Sequence, residues 1–335
     1  MSKKNGAFVS IVTPFYNTAA FLPACIESVL AQSYQNFEYV LVDNQSTDGS
    51  GEIAQRYAES DSRIRTIRAD TFRNQIANYN YALSQISSHS HYCKIVQADD
   101  WIFPDCIAWM VEVADRHPSI GLVSAYTLLG GKSAAVVGNA GLPYTHDGFF
   151  VGREIGRKQI LDRYHFFGSP TSVMFKAAVI RERVPFYSEL PFEDTIVCLE
   201  ILRNWDFGFV YQVASYQRKD NDSITSRIRR FDPYLLIEKV AVTVAGGPGH
   251  LTPTEYRKAV NCRMDSYYRF LATCAIVGRD SEFWHYHRNA LAELDIELRR
   301  KKIGVYVIRQ VFDKLLNPKR TVEKAVEWVR HRRPA

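Results

Sequence analysis

Nowhere in the 335 residues does an apolar run approach the roughly 18 positions that a membrane-spanning helix needs. A Cys-x-x-Cys pair, a Walker A loop and the G-x-G-x-x-G dinucleotide fingerprint are also missing. Asp48-Gly49-Ser50-Gly51 contains only G-x-G and reads as a turn into a helix. No internal repeat or low-complexity stretch occurs, and no zinc-finger or RNP-type pattern points to nucleic acid. These absences argue against a helical membrane protein, a P-loop NTPase, a conventional dinucleotide enzyme and a nucleic-acid-binding module. The N-terminal MSKKNGAFVSIV runs directly into a strand-like segment without a small-residue cleavage site, so no signal peptide is expected. The expected location is cytoplasmic, including the inner face of a membrane. The six cysteines (Cys25, Cys93, Cys106, Cys198, Cys262 and Cys274) lie in apolar, periodic segments and are expected to be reduced core thiols.

What is present is an ordinary globular balance, 46% hydrophobic and 23% charged, laid out with a regular alternation. Phe8–Val12, Tyr39–Val42, Ile64–Ile67, Tyr92–Val96 and Gly121–Leu129 read as strands. Between them, Ala19–Gln32, a segment capped by Ser46-Thr47-Asp48, Asn74–Ile86 and Pro104–Arg116 carry helical spacing. Repeated β-α-β units predict an α/β fold with a mostly parallel, Rossmann-like sheet flanked by helices. Helix-like and strand-like pieces resume at Ile160–Arg163, Thr171–Phe175, Thr195–Asn204 and Phe207–Val213. From about Asp232 the pattern is helical, predicting a helical C-terminal extension. The expected division is residues 1–225, in halves 1–130 and 131–225, followed by 226–335.

Open parallel sheets bind ligands beyond the carboxyl ends of their strands. Here those ends carry Thr13–Asn17, Asp43–Ser46, Arg68–Asn74 and Gln97–Asp100. Polar and aromatic residues at several ends, with the tandem Asp99-Asp100 on the fourth, suggest one shared cleft. Two adjacent carboxylates suit a hard divalent cation completed by diphosphate oxygens and water. The same pair would equally serve to cap the helix near Pro104. Arg73 is placed to meet a diphosphate or to lie solvated on the surface.

Four ordered motifs then carry a resemblance. V9-S-I-V-T-P-F-Y-N17, the run Ser28–Tyr34, V42-D-N-Q-S-T-D48 and A98-D-D-W-I-F-P104 resemble family 2 glycosyltransferases of the GT-A fold over about residues 8–225. The resemblance implies an inverting transferase that uses a nucleoside diphosphate sugar and Mn²⁺ or Mg²⁺, and acts on a glycan or glycolipid acceptor. It assigns Pro14 and Tyr16 to the nucleobase wall and Asp43 and Asn44 to base or ribose. Arg73, Asn74 and Asp99 would meet the rest of the donor, and Asp99 and Asp100 the metal. Glu193-Asp194 resembles the family's acidic pair, with Asp194 the general base, or alternatively a helix cap. Ser169, Thr171, Glu193 and Arg218 fall to the acceptor side.

Departures from the family pattern are specific. Gln97 replaces the leading acid of the metal motif, and Asp220 replaces a downstream histidine. Asn44 stands where a second acid is frequent, which favours uridine because its carbonyl can accept from uracil N3–H. Two other readings stay open here. A sugar nucleotidyltransferase would want a Gly- and Arg-rich loop after the first strand, and Thr13–Thr18 has none. A non-catalytic nucleotide-sugar-binding scaffold is kept in view by Gln97 and Asp220.

The charge is uneven. Residues 299–335 hold twelve Lys/Arg and three Asp/Glu, a balance of +9 against +6 for the whole chain, so residues 1–298 carry −3. Ile303, Val307, Ile308, Val311, Phe312, Leu315 and Leu316 share a helical face edged by basic residues. That face predicts either contact with an anionic membrane surface or docking on the protein itself or on a second copy in a homo-oligomer.

Overall fold

The computed structural model describes residues 6–130, 136–138, 148–162, 165–188, 192–219 and 224–316. Two compact units emerge, Met1–Ser223 with Ala245–Thr252, and Ile224–Val244 with Pro253–Ala335.

The first unit is built on β1 (Val9–Phe15), β2 (Phe37–Asp43), β3 (Ile64–Arg68) and β4 (Tyr92–Ile95), parallel in the order β3-β2-β1-β4. All seven residues of β1 are buried, the signature of a central strand covered on both faces. Helix α1 (Leu22–Leu30) closes one face with Leu22, Cys25, Ile26 and Val29, an i, i+3, i+4, i+7 stripe. Helix α2 (Ser50–Ser60) starts after Gly49, whose φ of +92° is a conformation that only glycine adopts cheaply. The expected cap at Ser46–Asp48 is thus displaced: Asp48 Oδ1 accepts from Ser50 N–H at 3.0 Å, inside the first turn. Helix α3 (Gln75–Leu83) is capped by Asn74, whose Oδ1 accepts from Ala77 N–H at 2.8 Å.

Past β4 the chain makes β5 (Trp101–Ile102), a strand absent from the sequence reading, and α4 (Cys106–Arg116). The long β6 (Ile120–Gly130) and β10 (Asp206–Arg218) then pair in parallel. Between β4 and β6 runs β9 (Val173–Lys176), antiparallel to both. The full path is β3-β2-β1-β4-β9-β6-β10-β5, with β7 (Val136–Gly138) on β6 and β8 (Phe149–Phe150) on β10. The sheet is thus mostly parallel, as the β-α-β alternation implies, with a reversed strand at its middle. Helices α5 (Gly152–Leu161), α6 (Ala177–Glu182) and α7 (Glu193–Ile201) complete the unit. Phe149 and Phe150 pack on His117 and Phe207.

The second unit comprises α8 (Ile224–Phe231), α9 (Leu236–Gly246, its last two residues belonging to the first unit), α10 (Pro253–Val277), α11 (Ser281–Ala292) and α12 (Arg300–Leu316). Its core holds Tyr267, Tyr268, Leu271, Phe283 and Leu291. One cysteine departs from expectation: Cys262 lies on the exposed side of α10, while the other five are buried, and all six are free thiols. On α12 the expected single apolar face is divided. Ile303 and Tyr306 turn inward, with Tyr306 Oη donating to Asp265 Oδ1 at 2.6 Å and Gln310 Nε2 to Arg269 O at 2.7 Å. Ile308, Val311, Phe312, Leu315 and Leu316 stay exposed on the other side.

His287 sits at the centre of this unit, fully buried. A carbonyl only accepts, so Nε2–H donates to Phe231 O (3.2 Å) and Nδ1 accepts from Tyr267 Oη (2.7 Å). Burial holds the ring neutral, with its pKa lowered from 6.5 to about 4. The unfolded chain takes up this proton first as pH falls. The site's stabilisation, roughly 3 kcal/mol, is therefore complete above about pH 6.5 and gone near pH 4. Urea unfolding across this range should show that loss in the wild type and a shallower pH slope in His287→Gln.

Candidate functional site

The acidic loop is shaped by where the sheet stops. Pairing of β1 with β4 ends at Val12 and Ile95, and Thr13 Oγ1 spans the gap beyond by donating to Val96 O at 2.8 Å. The β4–β9 ladder ends at Lys94 and Met174. There Lys94 Nζ caps two carbonyls, that of Thr171 by a short bond and that of Val173 at 3.2 Å. Lys94 is completely buried, which is sustainable only because these acceptors replace water. Freed from the ladder, Gln97–Asp100 turn outward as a loop.

Asp100 is 2% exposed, and both its carboxylate oxygens are engaged. Oδ2 accepts from Thr171 Oγ1 at 2.7 Å and Oδ1 from Arg218 N–H at 3.0 Å. Burial, with the neighbouring Asp99 carboxylate, raises its pKa to about 7 against the opposing pull of these donors and Lys94. Asp99 is half-buried, and its carbonyl accepts from Arg218 Nε at 3.3 Å. Neither acid caps α4, whose N-cap position is Asp105, so that alternative falls away. Trp101 stacks on Tyr216 at 3.7 Å, and the Arg218 guanidinium lies 4.5 Å from Phe21 and 5.6 Å from Trp101. Arg218 is thereby built into the acidic loop rather than standing apart on an acceptor side. Asp220 lies outside the described residues.

The other strand ends resolve individually. Pro14 is buried in β1, whereas Tyr16 is 45% exposed and meets the 61% exposed Phe72 edge-on at 5.0 Å. Phe72 was not singled out in the sequence, although it lies within the third strand-end segment. Asp43 accepts from Ser46 N–H (2.8 Å) and pairs with Arg68 (3.1 Å). Asn44 departs from its expected base contact. Its Nδ2 donates to Arg73 O (2.8 Å) and its Oδ1 accepts from Arg73 N–H (3.0 Å), which commits the amide to holding the β3–α3 loop. Asn74 is likewise spent on capping α3. The Arg73 guanidinium pairs with Asp70 (2.6 Å) and lies 4.1 Å over Tyr81.

On the other side of the loop, Thr171 is fully buried, accepting from Gln97 N–H (3.0 Å) while donating to Asp100. It cannot touch an acceptor; its role is internal. Glu193 is corrected in the same way. At 4% exposure it accepts from Ser188 N–H (2.9 Å) and Ser188 Oγ (2.7 Å) and pairs with Arg183 (3.1 Å). Ser169 differs. It is 8% exposed, and its enclosed Oγ has no hydrogen-bond partner among the described residues.

Asp194 occupies the first turn of α7, and the N-cap position is Phe192, so Asp194 is not the cap. Its Oδ1 accepts from Thr195 N–H at 2.9 Å, and burial raises its pKa. Two tyrosines connect it to the acidic loop. Asp194 acts electrostatically on Tyr187, whose ring meets Tyr79 edge-on at 6.1 Å, and Tyr79 bonds the Gln97 side chain. Asn80 fixes this bridge by a double hydrogen bond to the Tyr187 backbone, 2.8 Å each way. Tyr79 and Tyr187 carry no sequence motif, and only their helical neighbours hint at a role.

No cluster of three or more His, Cys, Asp or Glu side chains able to hold a metal occurs among the described residues. Two carboxylates, of which Asp100 already accepts one hydrogen bond on each oxygen, fit Mn²⁺ or Mg²⁺ when phosphate oxygens and water supply the remaining ligands.

The fold and this strand-end centre define a GT-A type glycosyltransferase unit. In overall structure the chain is similar to S. aureus TarS 1–349 in complex with UDP-GlcNAc (TM-score 0.58, 16% identity, covering 86% of this chain and 80% of that one). It is also similar to the mannosyltransferase PcManGT from Pyrobaculum calidifontis in complex with GDP-Man and Mn²⁺ (TM-score 0.51, 17% identity, 90% and 87% covered). Residues 10–182 match Glycosyl transferase family 2, and the chain belongs to that family. Among curated relatives, it is 38% identical over 118 residues to the glycosyltransferase GlyG of Streptococcus pneumoniae serotype 4, covering 35% of this chain and 38% of GlyG. It is 35% identical over 99 residues to GlyA of the same organism, covering 30% of this chain and 14% of GlyA. The chain thus spans well under half the length of these relatives.

Removing the Glu193 carboxylate tests the corrected role directly. Glu193→Ala removes the acceptor of the Ser188 N–H and hydroxyl, while Arg183 keeps Glu200 and the Phe186 carbonyl, and should cost about 1–3 kcal/mol in urea unfolding. Acceptor KM should be unchanged in the fraction that remains folded.

Proposed function

We propose that this glycosyltransferase moves a sugar, with inversion, from a nucleoside diphosphate donor to a hydroxyl of a glycan or lipid-linked acceptor. The observation that carries the reading is the pairing of a half-buried Asp99 with a buried, hydrogen-bonded Asp100 at the end of β4. Exposed aromatic rings at the ends of β1 and β3 support it. Tyr16 and Phe72 would stack on the nucleobase, and Asp43 would accept from base or ribose. Asn44, on which the preference for uridine rested, is engaged with the Arg73 backbone and lends that base no further support. The donor complexes of TarS with UDP-GlcNAc and of PcManGT with GDP-Man accord with a nucleotide sugar here.

Asp99 would hold Mn²⁺ or Mg²⁺ with the diphosphate, and Asp100 would keep Asp99 in place. Bound there, the ion supplies charge stabilisation to the departing diphosphate. The Arg218 guanidinium, fixed over Phe21, adds positive charge beside the same loop. Asp194 would take the proton of the acceptor hydroxyl on the face opposite the leaving group, which makes a single displacement and inverts the sugar carbon. Burial raises its pKa, which makes it a stronger proton acceptor than an exposed carboxylate. Ser169 would hydrogen-bond acceptor or sugar hydroxyls.

The acceptor's setting follows from α12. Arg300, Lys301, Lys302 and Arg309 border the exposed stripe of Ile308, Phe312, Leu315 and Leu316, each more than half exposed. A basic helix with an outward apolar face fits an anionic lipid surface, suiting a lipid-linked acceptor in surface polysaccharide or glycolipid assembly. Lys319, Arg320 and the rest of the basic tail lie outside the described residues. No helix among the described residues is long and apolar enough to cross a membrane.

Thermal-shift measurements with nucleoside diphosphates and their sugars, with and without Mn²⁺, should reveal one preferred base and a larger shift when metal is present. Asp194→Asn should keep donor binding while losing transfer and donor hydrolysis by about 10²–10⁴-fold. Retained turnover in that variant removes Asp194 as the base. Flotation with vesicles containing anionic lipid should carry the full chain upward and fail for Phe312→Asp with Leu315→Asp. Equal flotation of both proteins removes the membrane contact.

A further inference from the structure

The acidic centre is balanced by two cations that belong to the fold. Asp99 and Asp100 contribute two formal negative charges, and Gln97 adds none where a third acid is frequent. Beneath them Lys94 is wholly buried, its ammonium bonded to the Thr171 carbonyl while the Thr171 hydroxyl bonds Asp100. Lys94 and Asp100 also act on each other electrostatically. Beside them Arg218 bonds the Asp99 carbonyl and donates its N–H to Asp100. The formal sum over these four side chains is zero. Burial disfavours the charged form of Lys94, while its carbonyl partners and the Asp100 carboxylate sustain it, and a buried ammonium here adds to the cost of a divalent cation brought nearby.

We infer that Lys94 is a charge-balancing and positioning residue that stops the donor-free centre from holding a divalent cation. On this view, metal and nucleoside diphosphate enter together. The diphosphate brings the negative charge that the protein lacks, and its oxygens fill the positions that two carboxylates leave open. Lys94 also fixes the Thr171 segment on which Asp100 depends, so geometry and charge are set by one side chain. The inference rests on the proposed metal-assisted reading, and the test separates the two.

Mn²⁺ binding to the full-length protein, followed by the EPR signal of free Mn²⁺, is measured alone, with UDP and with GDP. In the wild type, one nucleotide should tighten Mn²⁺ binding at least roughly tenfold. Lys94→Met and Gln97→Asp each shift the centre by one negative charge. Each should tighten nucleotide-free Mn²⁺ binding at least roughly tenfold and so shrink the nucleotide effect. Lys94→Gln, neutral but still able to donate to the Thr171 carbonyl, keeps the test decisive if Lys94→Met does not fold, whereas Gln97→Asp also adds a ligand and serves only to calibrate the effect of one charge. If neither nucleotide promotes Mn²⁺ binding to the wild type, the metal-assisted reading fails and the inference with it. If nucleotide coupling is present but the folded Lys94 variants bind Mn²⁺ alone no better than the wild type, the inference alone is overturned.

Discussion

The Asp100 carboxylate is the constraint on which the site depends. A nearly inaccessible carboxyl group is costly to bury unless donors replace its water, and here three segments supply or support those donors. Thr171 brings the turn before β9, Arg218 brings the end of β10, and Asp100 itself carries the loop from β4. Three strands that diverge at their ends are thereby drawn to one point. Asp99, the neighbouring residue, takes its position from this brace. On the proposed reading, one member of the tandem acid holds the loop and the other meets the ligand.

A second layer keeps this point rigid. Lys94 closes the frayed edge between β4 and β9, and the Thr127 hydroxyl ties Ser172 (2.6 Å) to Ser215 (3.0 Å) across β6. Further out, Asn44 and Asn74 set the β3–α3 loop, and Asn80 fastens Tyr187 to α3. Polar side chains near the cleft are therefore spent largely on backbone, as preorganised sites require. Ser169 Oγ, enclosed and without a partner among the described residues, is an exception to that pattern.

Much of the architecture was legible because it is local. Burial on both faces of β1, β2 and β4 makes largely apolar segments, and the α1 stripe is a plain 3.6-residue period. What escaped was non-local. The insertion of β9 between β4 and β6 depends on pairing partners about 80 and 50 residues away in the chain, which no periodicity encodes. At the site, Asp99-Asp100 and Asp194 are visible through motif and spacing. Thr171, Glu193, Asn44 and Asn74 misled because a polar residue in a functional segment reads identically whether it faces ligand or backbone. Lys94 shows the converse. A lone lysine within an otherwise apolar strand was the available signal of a buried cation, and only its neighbours give it meaning.

The central claim is that Asp99 faces the diphosphate and its metal while Asp100 remains an internal brace. Anomalous scattering from Mn²⁺ in crystals grown with a nucleoside diphosphate tests it most directly. The account predicts a single peak about 2–2.5 Å from an Asp99 carboxylate oxygen, with both Asp100 oxygens still bonded to Thr171 and Arg218. A peak bound to Asp100 with the Thr171 bond broken, or one away from this loop altogether, would contradict it.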